Sequence, residues 1–191
     1  MKVSSILTFL TSIVPAAMSQ QVNRSATNGW GSTPSQRHYI NHTQALQVIN
    51  AGIQRAEAIG DHVSLTKIMG NKSVPQNIAV LDPSSWLVAF VHMDNSFLGS
   101  IDISQKKAKT VVLYNGIPNN ALQNRSEPGG DLWGIQETNG GTVVFGGGQP
   151  IFDPDGYFIG AVGVSGGTVE QDIDVAVHAA QSIGTTVTSS S

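Results

Sequence analysis

The sequence FGGGQPIFDPDGYFIGAVGVSGGTVEQDIDVAVHAA, residues 145–180, decides the fold of this chain. Two apolar runs flank the DPDG segment at 153–156, in which glycine supplies a positive φ and aspartate bonds its own backbone. This pattern predicts a β-hairpin. The second run, residues 157–164, is apolar on both faces, so we expect it to be a buried central strand.

A helix should follow the glycine-rich turn at 165–167. Thr168 is a good N-cap, and Gln171 lies three residues further on, which is the spacing of a capping box. The apolar residues that then share one helical face are Val169, Ile173, Ala176, Val177 and Ala180. Gly184 stands where a C-cap glycine belongs. The stretch therefore predicts a hairpin, a glycine-rich turn and an amphipathic helix.

The rest of the chain alternates between helix and strand patterns. We predict helices at 41–60 and 96–115, a hairpin of strands 77–81 and 86–93, and a further strand at 142–145. Residues 61–76 and 118–141 are expected to be irregular connections. Because hairpins dominate, the sheet should be antiparallel, with about five strands and helices packed on it. The sequence thus predicts an α+β fold.

The first residues are typical of a secretory signal peptide. Lys2 supplies a positive charge, residues 6–17 are apolar, and residues 17–19 have the small-x-small pattern of a cleavage site. We therefore predict a signal peptide at 1–19 and a secreted protein. Residues 20–40 are expected to form a flexible or draped arm, residues 41–184 the domain, and residues 185–191 a disordered tail.

Composition narrows the range of partners. The 191 residues carry a net charge of −3 and only 12% are charged, so we expect neither nucleic acid nor membrane as a partner. No cysteine is present, which excludes disulfides. Four Asn-x-Ser/Thr sequons predict glycosylation, at Asn23, Asn41, Asn71 and Asn124.

Two glycine-rich segments invite functional interpretations. Residues 163–167 match G-x-S-x-G with Ser165 as the nucleophile, but no later loop offers a histidine and an acid to partner it. A tight turn that needs Gly166 is the favoured interpretation. The triple glycine at 146–148 lacks the Lys-Ser/Thr of a phosphate-binding loop. Gly147 and Gly148 instead indicate close approach of the backbone to a ligand or a neighbouring subunit.

His92 and Asp94 are the strongest candidates for chemistry. They follow a predicted strand and precede a predicted helix, a position that suits haem or metal ligation by His92, or general acid–base work by both. The alternatives are a half-exposed strand residue for His92 and a helix cap for Asp94. Lys107 lies in a cluster of lysines, which indicates either a solvated helix face or contact with an acidic group of a ligand.

The segments MDNSFLGSIDISQKKAKT (residues 93–110) and 146–180 resemble the GlcG/HbpS family, which includes the C-terminal domain of PduO-type cobalamin adenosyltransferases. The resemblance covers about residues 41–183. It implies a profilin-like sandwich, assembly into a homo-oligomer, and a small-molecule ligand, with haem as the cofactor. It also implies that a haem-degrading activity occurs in some members. It places Lys107, Gly147, Gly148, Ser165 and Gly166 near the ligand.

The chain departs from the family pattern at the candidate site. The family has arginine before Met-Asp, and this chain has His92; the following glycine is Asn95. Arginine can bind a carboxylate through two hydrogen bonds, and histidine cannot. Histidine can instead ligate a metal or transfer a proton. The fold therefore transfers better than the ligand.

Three functional hypotheses follow. The first is a secreted binding protein for haem or another small molecule, with His92 facing the iron. The second is a cofactor-independent isomerase or cyclase of a specialised metabolite, in which His92, Asp94 and Asp172 transfer protons. The third is a structural protein whose glycines serve only subunit packing.

Overall fold

An antiparallel sheet is the centre of the domain. The computed structural model describes residues 22–60 and 73–184, and in that part of the chain the sheet has four strands. They are β1 (Asn77–Leu81), β2 (Leu87–His92), β3 (Gly148–Phe152) and β4 (Phe158–Ser165), in the order β2-β1-β4-β3. The two predicted hairpins are confirmed, and β1 and β4 form the buried centre.

Within residues 22–60 and 73–184, three α-helices cover the two faces of this sheet. They are α1 (His42–Gly60), α2 (Gly99–Leu113) and α3 (Val169–Gln181). α1 and α3 pack on one face, against Ile78, Val80 and Val162, and α2 packs on the other, against Ala79 and Ala161. The predicted α+β sandwich is therefore confirmed. No described helix has the length and apolar character needed to span a membrane.

The starts of α3 and α1 have capping boxes, and the one predicted at Thr168 is confirmed. The Thr168 hydroxyl accepts the Gln171 backbone N–H, and the Gln171 side chain accepts the Thr168 N–H at 2.9 Å. At α1, Asn41 and Gln44 make the same reciprocal pair at 2.9 and 3.0 Å. These local bonds satisfy N–H groups that a helix leaves free at its start.

In both hairpin turns, an aspartate side chain accepts hydrogen bonds from the backbone that follows it. Asp82 accepts the N–H groups of residues 84 and 86 through one carboxylate oxygen, at 2.8 and 3.0 Å. Asp153 accepts those of residues 155 and 157 in the same way, at 3.1 and 2.9 Å. An aspartate that bonds the backbone ahead of it stabilises the reversal.

The prediction of a strand at 142–145 is wrong, so the described sheet has four strands rather than about five. Side chains take the place of a neighbouring strand there. The Asn119 amide donates to the carbonyls of Val143 and Phe145, at 2.9 and 2.7 Å, and the Thr110 hydroxyl accepts the Val143 N–H at 3.0 Å. These bonds satisfy the backbone without a ladder.

Helix boundaries also differ from the prediction. α2 spans Gly99–Leu113 rather than 96–115, and α3 ends at Gln181, so Gly184 is not its cap. Gly184 instead lies so close to the Phe152 carbonyl that a Cβ would approach its oxygen to 2.4 Å. Its lack of a side chain serves packing.

The segment before α1, described from residue 22, lies against the β3–β4 hairpin. Trp30 packs edge-on to Phe158 with ring centroids 5.3 Å apart, and its carbonyl accepts the Phe158 N–H. The guanidinium carbon of Arg37 lies 3.6 Å from the centre of the Trp30 ring. The His38 ring stacks on the Tyr157 ring, with the ring centroids 3.9 Å apart. The signal peptide predicted at 1–19 and the tail predicted at 185–191 lie outside the described residues, as do residues 20–21 and 61–72.

The glycine at 163 lets α2 lie directly on β4. A Cβ at Gly163 would come within 1.9 Å of the Ser104 carbonyl oxygen and 2.6 Å of the Ala108 nitrogen. At Gly148 a Cβ would come within 2.6 Å of the Lys107 carbonyl. Helix backbone therefore contacts strand backbone, which accounts for the first glycine of the G-x-S-x-G match without a catalytic triad.

We expect Gly163→Ala to lower the free energy of unfolding by about 3 kcal/mol, since the methyl group forces α2 away from the sheet. Urea denaturation measures the loss. Gly99→Ala is the control, because nothing lies within 4 Å of a Cβ there. It should leave stability unchanged or raise it by up to about 1 kcal/mol. Equal effects of the two substitutions would contradict the close-contact account.

Candidate functional site

One row across the end of the sheet brings three polar residues together. The strand register places Asn77 opposite His92 on β2 and opposite Ser165 on β4. Side chains that face each other across antiparallel strands lie on the same side of the sheet. Here that side carries α2, and the loop before α2 covers the row.

His92 is anchored through one ring nitrogen. Its Nδ1 lies 2.7 Å from the Asn77 side-chain oxygen and 2.8 Å from the Ser96 hydroxyl. The Asn77 amide nitrogen donates to the Phe97 carbonyl at 3.0 Å. The imidazole is exposed, and no residue in the described part of the chain bonds Nε2. His92 therefore presents one open nitrogen at a defined position.

Asp94 lies beside His92 in the turn that leads to α2. Ser96 donates its N–H to the Met93 carbonyl at 3.0 Å, and Asn95 has a φ of 65°. Asparagine tolerates this left-handed conformation, so it can replace the family's glycine there. Asp94 is exposed, and because α2 starts at Gly99 it does not cap that helix.

Lys107 and Asp172 form a buried ion pair between α2 and α3. Their side chains are 0% and 4% exposed, and Nζ lies 2.7 Å from a carboxylate oxygen. The ammonium also donates to the Val164 carbonyl at 2.9 Å and lies 4.8 Å from the centre of the Phe145 ring. The second Asp172 oxygen accepts the Gly167 N–H at 3.0 Å. Both charges are thus satisfied within the protein.

Burial and pairing act in opposite directions on this pair. Burial lowers the pKa of Lys107 and raises the pKa of Asp172, because each charged form loses its hydration. The attraction and hydrogen bond between them oppose both shifts. The pair occupies the place where a ligand contact of Lys107 and a proton transfer by Asp172 were predicted. Their mutual contact accounts for both residues without a ligand.

The glycines predicted to line the site are packed against neighbouring backbone. A Cβ at Gly147 would lie 2.6 Å from the Val164 carbonyl oxygen, and one at Gly166 would lie 2.3 Å from the Pro75 carbonyl oxygen. Both residues also have a positive φ. Ser165 is buried, and in the described chain no hydrogen bond joins its side chain to a histidine or a carboxylate.

The structure therefore separates the predicted site residues into two groups. His92 and Asp94 lie on the surface at the end of β2, while Lys107 and Asp172 are paired in the interior. Within the described residues, no three metal-binding side chains cluster. A groove of about 620 Å³ along α1 contains none of the predicted residues.

Sequence reasoning missed Asn77 and Ser96 as partners of His92. The predicted hairpin indicated that Asn77, at the start of the first strand, would lie toward the end of the second. The pairing with His92 itself depends on the irregular register between Val80 and Leu81. The contact of Ser96 depends on the left-handed turn at Asn95, which the sequence alone does not specify.

A family model described as haem degrading protein, HbpS-like, matches residues 40–181. The chain belongs to this HbpS-like family. An uncharacterized 15.0 kDa protein of Citrobacter freundii, from the dhaT-dhaS intergenic region, is 43% identical over 102 residues. That match covers 52% of this chain and 70% of the relative.

Two solved structures extend the family resemblance to the fold. The Klebsiella pneumoniae protein ORFY superposes with a TM-score of 0.66 at 31% identity, covering 79% of this chain and 95% of that one. A PduOC:heme complex superposes with a TM-score of 0.64 at 29% identity, covering 76% and 95%. This HbpS-like chain thus shares its architecture with a domain that was crystallised with haem.

We expect Lys107→Met to lower the free energy of unfolding by about 3–5 kcal/mol, because it leaves the Asp172 carboxylate buried and unpaired. Urea denaturation measures this loss. Arg55→Ala is the control: the Arg55–Asp174 pair is 37% and 40% exposed, so its loss should cost less than about 1 kcal/mol. A Lys107→Met variant as stable as Arg55→Ala would contradict the role of the buried pair.

The pH dependence of the two single variants should have opposite signs. Without Lys107, the pKa of Asp172 rises further above its unfolded value, so ionisation opposes folding and the loss grows from about pH 4 to pH 7. In Asp172→Asn, the unpaired Lys107 has a lowered pKa. The loss of stability in this variant should shrink as pH rises toward about 10, since the neutral amine then predominates in both the folded and the unfolded state.

Proposed function

We propose that this chain is a secreted haem-binding protein in which the Nε2 atom of His92 ligates the iron. The observation that carries the proposal is the anchoring of the exposed imidazole through Nδ1, which leaves Nε2 without a partner among the described residues. Histidine nitrogen is a common protein ligand of haem iron. The haem complex of a family relative supports the same ligand class.

The surroundings of His92 fit the apolar porphyrin ring of haem better than its propionate groups. Phe97 and Leu98 are 70% and 77% exposed in the adjoining loop and offer apolar contact to a porphyrin. Lys107 does not fit as a partner of the propionates, because it is buried and paired. When bound, the haem would supply an iron centre for ligand binding or electron transfer. The protein's own residues would orient and shield it.

A hemin titration tests this function. The wild-type protein should give a sharp Soret shift at one equivalent per chain, and His92→Ala should weaken binding by at least about tenfold through loss of the axial nitrogen. His178→Ala is the matched control, since His178 is exposed on α3. Equal titrations of the two variants would exclude His92 as the ligand, and no wild-type shift would overturn haem binding.

A second candidate is the cofactor-independent isomerase or cyclase. The same open Nε2 favours this function, because a neutral imidazole held in one orientation can accept a proton from a substrate. Asp94 lies in the adjacent turn, whereas Asp172 is occupied by Lys107. Turnover of a metabolite without hemin, lost in His92→Ala, would favour this function. Full activity in that variant would exclude it.

We propose further that a second copy of the chain covers β2. This edge strand carries no Asp, Glu, Lys or Arg, its central residues are half-buried, and Trp86 and Leu87 are exposed at its start. Apolar edges that no other described strand pairs with, as here, invite pairing with another chain. Such assembly suits the haem protein and equally the hypothesis of a structural oligomer.

Light scattering measures the assembly. The wild-type protein should have at least twice the mass of one chain, and Leu87→Lys should lower that mass by placing charge on the edge. Leu46→Lys is the control, because Leu46 is similarly exposed on α1. A monomeric wild type would overturn this assembly.

Secretion and glycosylation complete the proposal. Three sequon asparagines lie in described segments, and Asn23, Asn41 and Asn124 are all exposed. Asn41 caps α1 through its side-chain oxygen, which leaves the amide nitrogen for a glycan. Asn124 belongs to a sequon whose Ser126 is buried, so the asparagine itself is the residue to replace.

Expression in a eukaryotic secretory host should release a protein that begins at Gln20 and loses mass on treatment with an N-glycosidase. Thr43→Ala should remove the Asn41 glycan and keep the helix cap, and Asn124→Gln should remove the Asn124 glycan. Mass spectrometry checks both. Retention of residues 1–19, or no change in mass after the enzyme, would contradict secretion by this route.

A further inference from the structure

The hydrogen bonds around His92 assign the position of its ring proton. Asn77 cannot turn its amide nitrogen toward the ring without losing its bond to the Phe97 carbonyl, 3.0 Å away. Its side-chain oxygen therefore faces Nδ1 at 2.7 Å. Two lone pairs at that distance would repel, so Nδ1 must carry a hydrogen.

The contacts of Ser96 are compatible with the same assignment. Its hydroxyl donates to the Met93 carbonyl at 2.8 Å, which uses its single hydrogen. The Ser96 oxygen, 2.8 Å from Nδ1, is then an acceptor. One N–H at Nδ1 thus serves two oxygens, and all of these contacts are satisfied together only in this tautomer.

We infer that Asn77 and Ser96 are positioning residues that hold neutral His92 in the Nδ1–H tautomer and thereby keep a lone pair on Nε2. The other tautomer would place the hydrogen on the outward nitrogen, where it would block an electrophile. A metal or a substrate proton can approach only a nitrogen that has its lone pair free. The use of that lone pair for iron rests on the proposed function, whereas the tautomer does not.

Asn77 is well placed for this task because its backbone is fixed. It is fully buried and begins β1, between β2 and β4 in the sheet. The Asn77 side chain therefore stays in place, and the His92 ring adopts the orientation that forms the hydrogen bond with it. A carboxylate at this position would accept the same hydrogen bond.

The decisive measurement is the tautomer in the protein without hemin. Nitrogen-15 NMR of histidine-labelled protein, at a pH where imidazoles are neutral, distinguishes a protonated from an unprotonated ring nitrogen. The His92 resonances are identified by their absence in His92→Gln. We expect Nδ1 protonated and Nε2 unprotonated in the wild type. The opposite pattern would overturn the inference, whatever the protein binds.

Variants test which residue enforces the tautomer. Asn77→Ala should shift His92 toward a mixture of both forms and weaken hemin binding by about tenfold or more, while Asn77→Asp should keep the Nδ1–H form and its affinity. Asn50→Ala, on the exposed side of α1, should change neither readout. An unaltered tautomer in a folded Asn77→Ala protein would overturn the role of Asn77.

Two further results keep the test decisive. Because Asn77 is buried, Asn77→Ala can fail to fold; Ser96→Ala and Asn77→Asp then carry the comparison. Ser96→Ala should reduce the Nδ1–H population, and an increase would contradict its role as acceptor. A wild type with the Nδ1–H tautomer that does not bind hemin would sustain this inference and refute the haem function.

Discussion

The buried ion pair of Lys107 and Asp172 is the contact on which the rest of the domain depends. It joins α2 to α3 past the end of β4, where the Val164 carbonyl and the Gly167 N–H complete its hydrogen bonds. Two charges without water are stable only when each has its partners, so this pair specifies where both helices lie. The surrounding glycines follow from it, since side chains at Gly147 or Gly148 would meet Lys107 itself.

The fixed interior gives the exposed site its precision. α2 lies against β4 at Gly163, and the loop that enters α2 crosses the sheet above Asn77. His92 is exposed, yet its ring is held by residues from β1 and from that loop. A rigid support behind a reachable nitrogen is the arrangement that ligand binding or proton transfer requires.

Local chemistry made much of this fold predictable. The capping boxes and the two aspartate turns depend on residues within four positions of one another, so both hairpins and α3 could be recognised directly. The strand predicted at 142–145 failed because Asn119 and Thr110, far away in sequence, satisfy its backbone. The Lys107–Asp172 pair was equally hidden, since 65 residues separate its members.

The sequence by itself determined the fold class and the family, because periodicity, turn residues and motifs are local properties. It also singled out His92 as a candidate for chemistry. Only the tertiary structure decided that Lys107 and Asp172 neutralise each other, and that Asn77 and Ser96 hold His92 through Nδ1. These are contacts between separate elements. They depend on strand register and on how closely helix backbone approaches the sheet, which no local pattern encodes.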